Sequence, residues 1–172
     1  EDEIKEHAKT GFKTDKIYPW EIQMVPQGFY KKLENRIAAT KWLTWKLRKD
    51  PREITQDDFY NHGLGGIMNY YKGSPYLVLI EAGYAYSLDE IKEHARNEKF
   101  GADRAYPWER TRAPFIYDEK EIRIAATKWL VWRLRKDTRE IILDDFNNNG
   151  LGGLLVRPEY KGSPYLALVE AG

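Results

Sequence analysis

Pairs of ionisable side chains occur in this sequence at spacings that could support catalysis. Adjacent aspartates stand at 57–58 and again at 144–145, and paired carboxylates can serve in acid–base chemistry or hold magnesium. Carboxylates also favour the first turn of a helix, where they complement its dipole. Because Thr55 precedes the first pair as an N-cap residue, we interpret both pairs as helix-start residues and expect no enzymatic activity.

Two glutamate–histidine pairs have a spacing that one helix face could use to hold a metal ion. They are Glu3 with His7 and Glu90 with His94. The chain has three His and no Cys, so no further group of ligands accompanies them. We interpret them as solvated pairs and expect neither a metal nor another cofactor.

Basic side chains form two local strips that could neutralise phosphates. The strips comprise Lys41, Arg48 and Lys49 in the first half of the chain, and Lys128, Arg135 and Lys136 in the second. The overall charge gives no support, because 28 Lys and Arg face 27 Asp and Glu. The alternative is that both strips are ordinary solvated helix faces.

These side chains lie in an internal sequence repeat whose unit is roughly 87 residues long. Five segments recur in the same order, which chance cannot reproduce. We therefore predict a tandem duplication over residues 1–86 and 87–172. The recurring segments are DEIKEHA (2–8, 89–95), YPWE (18–21, 106–109), RIAATKWL (36–43, 123–130), GLGG (63–66, 150–153) and GSPY (73–76, 162–165).

Each copy is predicted to be a four- to five-helix unit, which gives an all-α fold. The helices expected in the first copy cover residues 3–9, 34–49, about 55–62, 64–72, and a segment that opens at Pro75. On the 34–49 helix, Lys41, Thr44 and Arg48 are expected opposite a broad apolar arc. Short helices with glycine corners after one long helix resemble a helix-turn-helix arrangement.

The segment Leu64–Lys72 is our candidate recognition element. Asn69, Tyr70 and Lys72 face outward if the neighbouring apolar residues pack inward, and such side chains can contact bases and phosphates. The alternative is that the tyrosines belong to the core and Lys72 is merely solvated. In the second copy the corresponding stretch carries Arg157 and Lys161, and its proline is expected to shorten or redirect the helix.

The tryptophans of the two PWE sequences, Trp20 and Trp108, are also open to two interpretations. A tryptophan fixed by the preceding proline fits a core position between helices. The alternative is a platform on which a nucleic-acid base stacks.

The pattern F-x3-GLGG, followed by Y-x-GSPY and EAG, resembles small helical repeats found beside homing endonucleases. Those repeats look like DNA-binding helix-turn-helix units. The longer pattern PWE…RIAATKWL…DDF…GLGG…GSPY…EAG is similar to repeats of uncharacterised Bacillus-type proteins. The resemblance covers most of each copy apart from the DEIKEHA helices. It implies a DNA-binding function.

We therefore predict a non-enzymatic DNA-binding module with two helix-turn-helix-like repeats, cut from a larger DNA-targeting or regulatory protein. Its expected partner is double-stranded DNA. The absence of Cys suits a reducing cytoplasm, and no apolar run approaches the length of a membrane span. The alternative function is a protein-interaction or structural repeat scaffold, which the near-neutral net charge favours.

Overall fold

The computed structural model describes residues 2–22, 25–110 and 116–172. It divides into two compact units, Glu1–Ala85 and Tyr86–Gly172. Throughout the described ranges the regular structure is helical and no β-strand is present. The predicted all-α class is confirmed.

The α-helices follow the same order of lengths and sequences in both units. In the first unit they are α1 (Asp2–Thr10), α2 (Leu33–Leu47), α3 (Gln56–Asn61), α4 (Gly65–Met68) and α5 (Pro75–Glu81). In the second unit they are α6 (Leu88–Asn97), α7 (Lys120–Leu134), α8 (Leu143–Asn148), α9 (Gly152–Leu155) and α10 (Pro164–Ala171). Single 3-10 turns occupy Pro19–Glu21, Phe29–Lys31, Pro51–Glu53, Asn69–Tyr71, Pro107–Glu109 and Thr138–Glu140.

The long helix of each unit is its central element. Helix α2 packs against α1 and α5, and α7 packs against α6 and α10. Both long helices are therefore buried on more than one side, which corrects the expectation for Thr44. That residue is only 8% exposed, and its hydroxyl donates to the Lys41 carbonyl at 2.8 Å, so a threonine can be buried in the helix without an unsatisfied hydroxyl.

Tryptophans from the PWE turns and from the long helices meet in the two cores. Trp20 and Trp42 lie with ring centroids 5.8 Å apart in the first unit, and Trp108 and Trp129 lie 5.6 Å apart in the second. Trp20 is 2% exposed and Trp108 1%. The core interpretation of the PWE tryptophans is confirmed, and their use as base-stacking platforms is excluded by burial.

Short caps set the ends of the smaller helices. Thr55 and Asp58 form a capping box at α3, and the Ser74 hydroxyl accepts from the Leu77 N–H at α5. After α3 the chain turns at Gly63, with φ at +74°, and a Cβ there would lie 2.9 Å from the Trp20 carbonyl oxygen. The turn therefore requires glycine both for its backbone angle and for the closeness of Trp20.

The prediction of one continuous helix over Leu64–Lys72 is wrong. Helix α4 spans only Gly65–Met68, and the chain then tightens into the 3-10 turn Asn69–Tyr71. Lys72 and Gly73 have left-handed backbone angles, and the Gly73 N–H donates back to the Met68 carbonyl at 2.9 Å. The helical conformation therefore ends after these two short turns, because a left-handed residue terminates a helix.

Candidate nucleic-acid interface

Several residues that recur in both copies form side-chain hydrogen bonds between elements of the same unit. In the second unit the Arg123 side chain, 6% exposed, joins the RIAATKWL segment to residues on either side of GSPY. Its Nε donates to the Tyr160 hydroxyl at 3.1 Å, and its Nη2 lies 3.3 Å from a carboxylate oxygen of Glu170. Tyr160 also donates to Glu170. This Arg–Tyr–Glu network holds together α7, the tyrosine two residues before GSPY and the end of α10.

The first unit has the same network. Arg36 Nε donates to the Tyr71 hydroxyl at 2.7 Å, Tyr71 donates to Glu81, and Arg36 lies 3.8 Å from Glu81. Sequence reasoning missed both networks. The signal available was the recurrence of one arginine, one tyrosine and one glutamate at matching places in both copies.

The DEIKEHA and YPWE segments are joined by a histidine–tyrosine pair, which corrects the interpretation of a solvated pair. His7 is 4% exposed, and its Nδ1 lies 2.9 Å from the Tyr18 hydroxyl. His94 pairs in the same way with Tyr106 at 2.8 Å. In the described part of the chain, no three His, Asp or Glu side chains cluster as metal ligands would.

Two of the predicted phosphate-binding lysines are already engaged by the aspartates of the DDF segments. Lys49 Nζ lies 2.8 Å from Asp58, and Lys136 Nζ lies 2.8 Å from Asp145. Burial opposes ionisation of Asp58, but hydrogen bonds from Lys49 and Thr55 hold its pKa below the usual value. These aspartates have the structural role that their position at a helix start indicated.

Two further predicted residues of the second unit also have carboxylate partners. Lys128 lies 3.6 Å from Glu98, and Arg157 lies 2.8 Å from Asp118 and 3.6 Å from Glu159. Each of these cations is therefore less available to a phosphate than the sequence suggested.

The remaining predicted cations have no ion pair within the described ranges. Lys41 is half-buried, whereas the others are exposed. The exposed residues share an unusual backbone: each has φ between +50° and +52°. They are Arg48, Lys72, Arg135 and Lys161.

Left-handed backbone is costly for these side chains. It costs roughly 1–2 kcal/mol per residue outside glycine, and Glu98 is the one other non-glycine residue with positive φ in the described ranges. A cation after a helix C-terminus recovers about 0.3–1 kcal/mol from the dipole, which accounts for part of the cost at Arg48 and Arg135. Lys161 follows a turn and no helix, so the dipole does not account for it.

The candidate recognition segment has the predicted orientation despite its irregular backbone. Ile67, Met68 and Tyr71 are buried, while Asn69, Tyr70 and Lys72 are exposed. The Arg36 guanidinium lies 4.9 Å from the centre of the Tyr70 ring, so a cation–π contact restrains this exposed side chain. Helix α4 itself is about 6 Å long, so any contact with bases must come from the side chains of the following 3-10 turn.

The second copy presents a different surface at this place. After α9 the chain passes through Val156, which is 79% exposed, and reaches Tyr160 without a 3-10 helix. Pro158 stands within this stretch, and the missing turn agrees with the expected effect of the proline.

Comparisons with protein-family models, with curated proteins and with solved structures find no match to this chain. None of the helices in the described ranges has the length and apolar character needed to cross a membrane.

Proposed function

We propose that this chain is a non-enzymatic module that binds double-stranded DNA through basic residues in left-handed backbone conformation. The observation that carries the proposal is the retention of Arg48, Lys72, Arg135 and Lys161 where glycine would cost less. Arg48 corresponds to Arg135, and Lys72 corresponds to Lys161, so each copy has a cation at the same two positions. Residues held in such strained backbone cluster at functional sites.

The spacing of these cations favours an extended polyanion as the ligand. Lys72 follows Tyr71, whose hydroxyl is bound to Arg36 in the first turn of α2, whereas Arg48 follows the last residue of that helix. Twelve residues of α-helix span about 18 Å, which is too far for one small anion. A DNA strand carries a phosphate about every 3.4 Å of its axis and can reach both places.

The exposed side chains of Asn69 and Tyr70 supply the sequence-dependent part of the proposal. Asn can pair with adenine, and a lost base contact costs roughly 1–3 kcal/mol. The corresponding residues of the second copy are Val156–Glu159, so we expect the two copies to contribute unequally to sequence preference. The proposal also places the module in the cytoplasm, within a larger DNA-targeting or regulatory protein.

Glycine substitutions at the left-handed residues separate DNA binding from stability. Arg48→Gly and Arg135→Gly remove a cation while relieving the backbone, so the folded state should be as stable as the original or more so. We expect weaker binding to a mixed-sequence duplex, measured by fluorescence anisotropy. The slope of log affinity against log salt should fall by about 0.9 for each lost phosphate contact.

The matched control is Glu98→Gly, which relieves the same backbone conformation and removes an anion. It should leave affinity unchanged or raise it. Unchanged affinity in Arg48→Gly and Arg135→Gly, or no binding of the original protein in about 50 mM salt, would refute the proposal. Asn69→Ala should change the ranking of duplex sequences while leaving the salt slope unchanged.

A protein-interaction scaffold is the second candidate, and one observation favours it. Helix α10 exposes Tyr165 (71%), Val169 (58%) and Leu166 (39%). Apolar side chains grouped on one short helix are typical of an interaction site. Tyr165→Ser should abolish association with a protein partner and leave duplex binding intact, so binding assays distinguish the two functions.

A further inference from the structure

A groove beside α1 and the end of α2 has the size of a small-molecule site. Its volume is about 790 Å³, within the range of roughly 300–1,000 Å³ found for ligand pockets. Phe12, Trp45 and Tyr84 form its aromatic lining. Every described residue that lines it belongs to the first unit.

The aromatic lining is held in place from behind. Phe12 and Trp45 pack with ring centroids 5.8 Å apart, and the Thr44 hydroxyl lies 3.2 Å from the Tyr84 hydroxyl. Trp45 is only partly buried, whereas Trp20 and Trp42 are enclosed in the core. A flat aromatic ligand can therefore stack at Trp45, as nucleobases do on tryptophan regardless of base identity.

The charge of the groove is positive. Lys9 and Lys41 line it, and neither forms an ion pair within the described ranges. Lys49 also lines the groove but is engaged by Asp58. Among the described residues of the lining, none is acidic. An anion placed beside the aromatic side chains would be stabilised by the two available ammonium groups.

The second unit has the corresponding groove in a smaller and internally neutralised form. Phe100, Lys128 and Trp132 occupy the equivalent positions, and the volume is about 280 Å³. Glu98 lines this groove and lies 3.6 Å from Lys128, whereas the first unit has Thr10 and Gly11 at this part of its groove. The shared aromatic pair is thus combined with an available cation only in the first unit.

We infer that the first unit's groove binds a nucleoside phosphate, with the base at Trp45 and the phosphate at Lys41 and Lys9. The ligand is either a free nucleotide or an unpaired nucleotide of a single strand, because both present the same base and phosphate. This site is separate from the left-handed cations, and it requires no duplex.

Isothermal titration of the full chain with adenosine monophosphate, and with a short single-stranded oligothymidine, tests the inference. One ligand site per chain is expected. Trp45→Ala and Lys41→Gln should each weaken binding about tenfold, in keeping with the loss of one stacking or phosphate contact. Tighter binding of the oligothymidine than of the mononucleotide identifies a single strand as the source, and equal or weaker binding identifies the free nucleotide.

The matched substitutions in the second groove, Trp132→Ala and Lys128→Gln, should leave the affinity unchanged. Lys41→Gln replaces one polar side chain at the rim of the core, so circular dichroism should show an unaltered fold. Absence of binding by both ligands, or an equal loss in the two sets of variants, would overturn the inference. A blunt duplex titrated in parallel tests the proposed DNA-binding function separately: nucleotide binding without duplex binding refutes that function alone.

Discussion

At the scale of the residue, the networks around Arg36 and Arg123 explain why the same side chains recur far apart in each copy. Arg123 also donates to the carbonyls of Tyr117 and Asp118, each at 3.1 Å, so its buried charge is satisfied on several sides. A buried arginine tolerates no loss of partners, because breaking such an ion pair leaves an uncompensated charge. The need to stabilise the fold is therefore sufficient to explain why these residues recur.

The pH dependence of stability should contain a contribution from Glu170. Burial opposes its ionisation, but hydrogen bonds from Tyr160 and Arg123 hold its pKa below the usual value for a glutamate. A carboxyl group with a lowered pKa stabilises the fold above the unfolded pKa, and this stabilisation is lost as pH falls through the folded pKa. Glu170→Gln should therefore lower the free energy of unfolding at pH 7 by roughly 1.5–3 kcal/mol.

Urea denaturation at several pH values measures this effect. The stability of Glu170→Gln should decline less than that of the original protein as the pH falls below 4.5. Exposed Glu93 serves as the control, since Glu93→Gln should keep both the stability at pH 7 and the original pH profile. Parallel profiles for Glu170→Gln and the original protein would contradict the assigned role of Glu170.

The core tryptophans permit a sharper test of packing. Trp42 is 2% exposed, and no acceptor among the described residues bonds its indole N–H. Trp42→Ala should cost roughly 3–5 kcal/mol of unfolding free energy, because it leaves a large cavity. Trp42→Phe should cost much less, since the ring volume is largely kept and the unsatisfied N–H is removed. A loss below about 1 kcal/mol for the alanine variant would show that the indole is not enclosed.

At the scale of the element, the glycine turns between the short helices determine where those helices begin. The GLGG corner holds its first glycine against the carbonyl of the PWE tryptophan in both units. The corner therefore fixes where α4 and α9 begin relative to the 3-10 turn that carries that tryptophan. One residue serves as a helix stop and as a packing contact.

A pair of glycines in the second unit separates these two roles. Gly150 and Gly162 both have φ at +79°. A Cβ on Gly150 would overlap the Trp108 carbonyl oxygen, whereas a Cβ on Gly162 meets nothing within 4 Å. Gly162→Ala should cost about 1–2 kcal/mol for the backbone angle, and Gly150→Ala should cost about 1–3 kcal/mol more for the overlap. Equal losses in thermal or chemical denaturation would show that the backbone moves away without resistance.

Local patterns predicted the elements better than their connections. Thr55, Asp58 and Pro75 indicated helix starts that the structure contains, and apolar spacing indicated which residues of 64–72 are buried. These signals act within a few residues of one another. The burial of Thr44 and the pairing of His7 with Tyr18 depend on elements distant in sequence, so spacing along one helix gave no sign of them.

The same limit applies to the candidate site. Basic residue types and their grouping could be predicted from the sequence, but their partners could not. The structure shows carboxylate partners that make four of these cations less available to a phosphate: Lys49, Lys128, Lys136 and Arg157. The left-handed angles at Arg48 and Arg135 were equally hidden, because cations at helix ends are common and only the backbone reveals the cost.

At the scale of the whole molecule, each unit has a core of its own. One cluster includes Trp42 and Leu43, and the other includes Trp129 and Leu130. Substitutions at independent sites have additive effects within about 0.5 kcal/mol. We therefore expect a substitution in one cluster to leave the stability of the other unit unchanged.

Hydrogen exchange tests this independence directly. Trp129→Ala should lower the protection of the amides of α7 while the amides of α2 keep theirs, because local opening follows the stability of each cooperative part. Trp42→Ala should give the reverse pattern. Loss of protection in both long helices from either single substitution would show that the two cores unfold together.

The stretch between α9 and Tyr160 has a consequence for protein engineering. Leu155 and Tyr160 are 1% and 2% exposed, so both ends are anchored while Val156–Glu159 lies between them. The first copy bridges the matching anchors, Met68 and Tyr71, with Asn69 and Tyr70 alone, so the span accepts different lengths. Lengthening a surface connection costs little, since loop closure grows only slowly with residue number. An epitope or protease site grafted after Val156 should therefore be displayed without loss of the helices on either side.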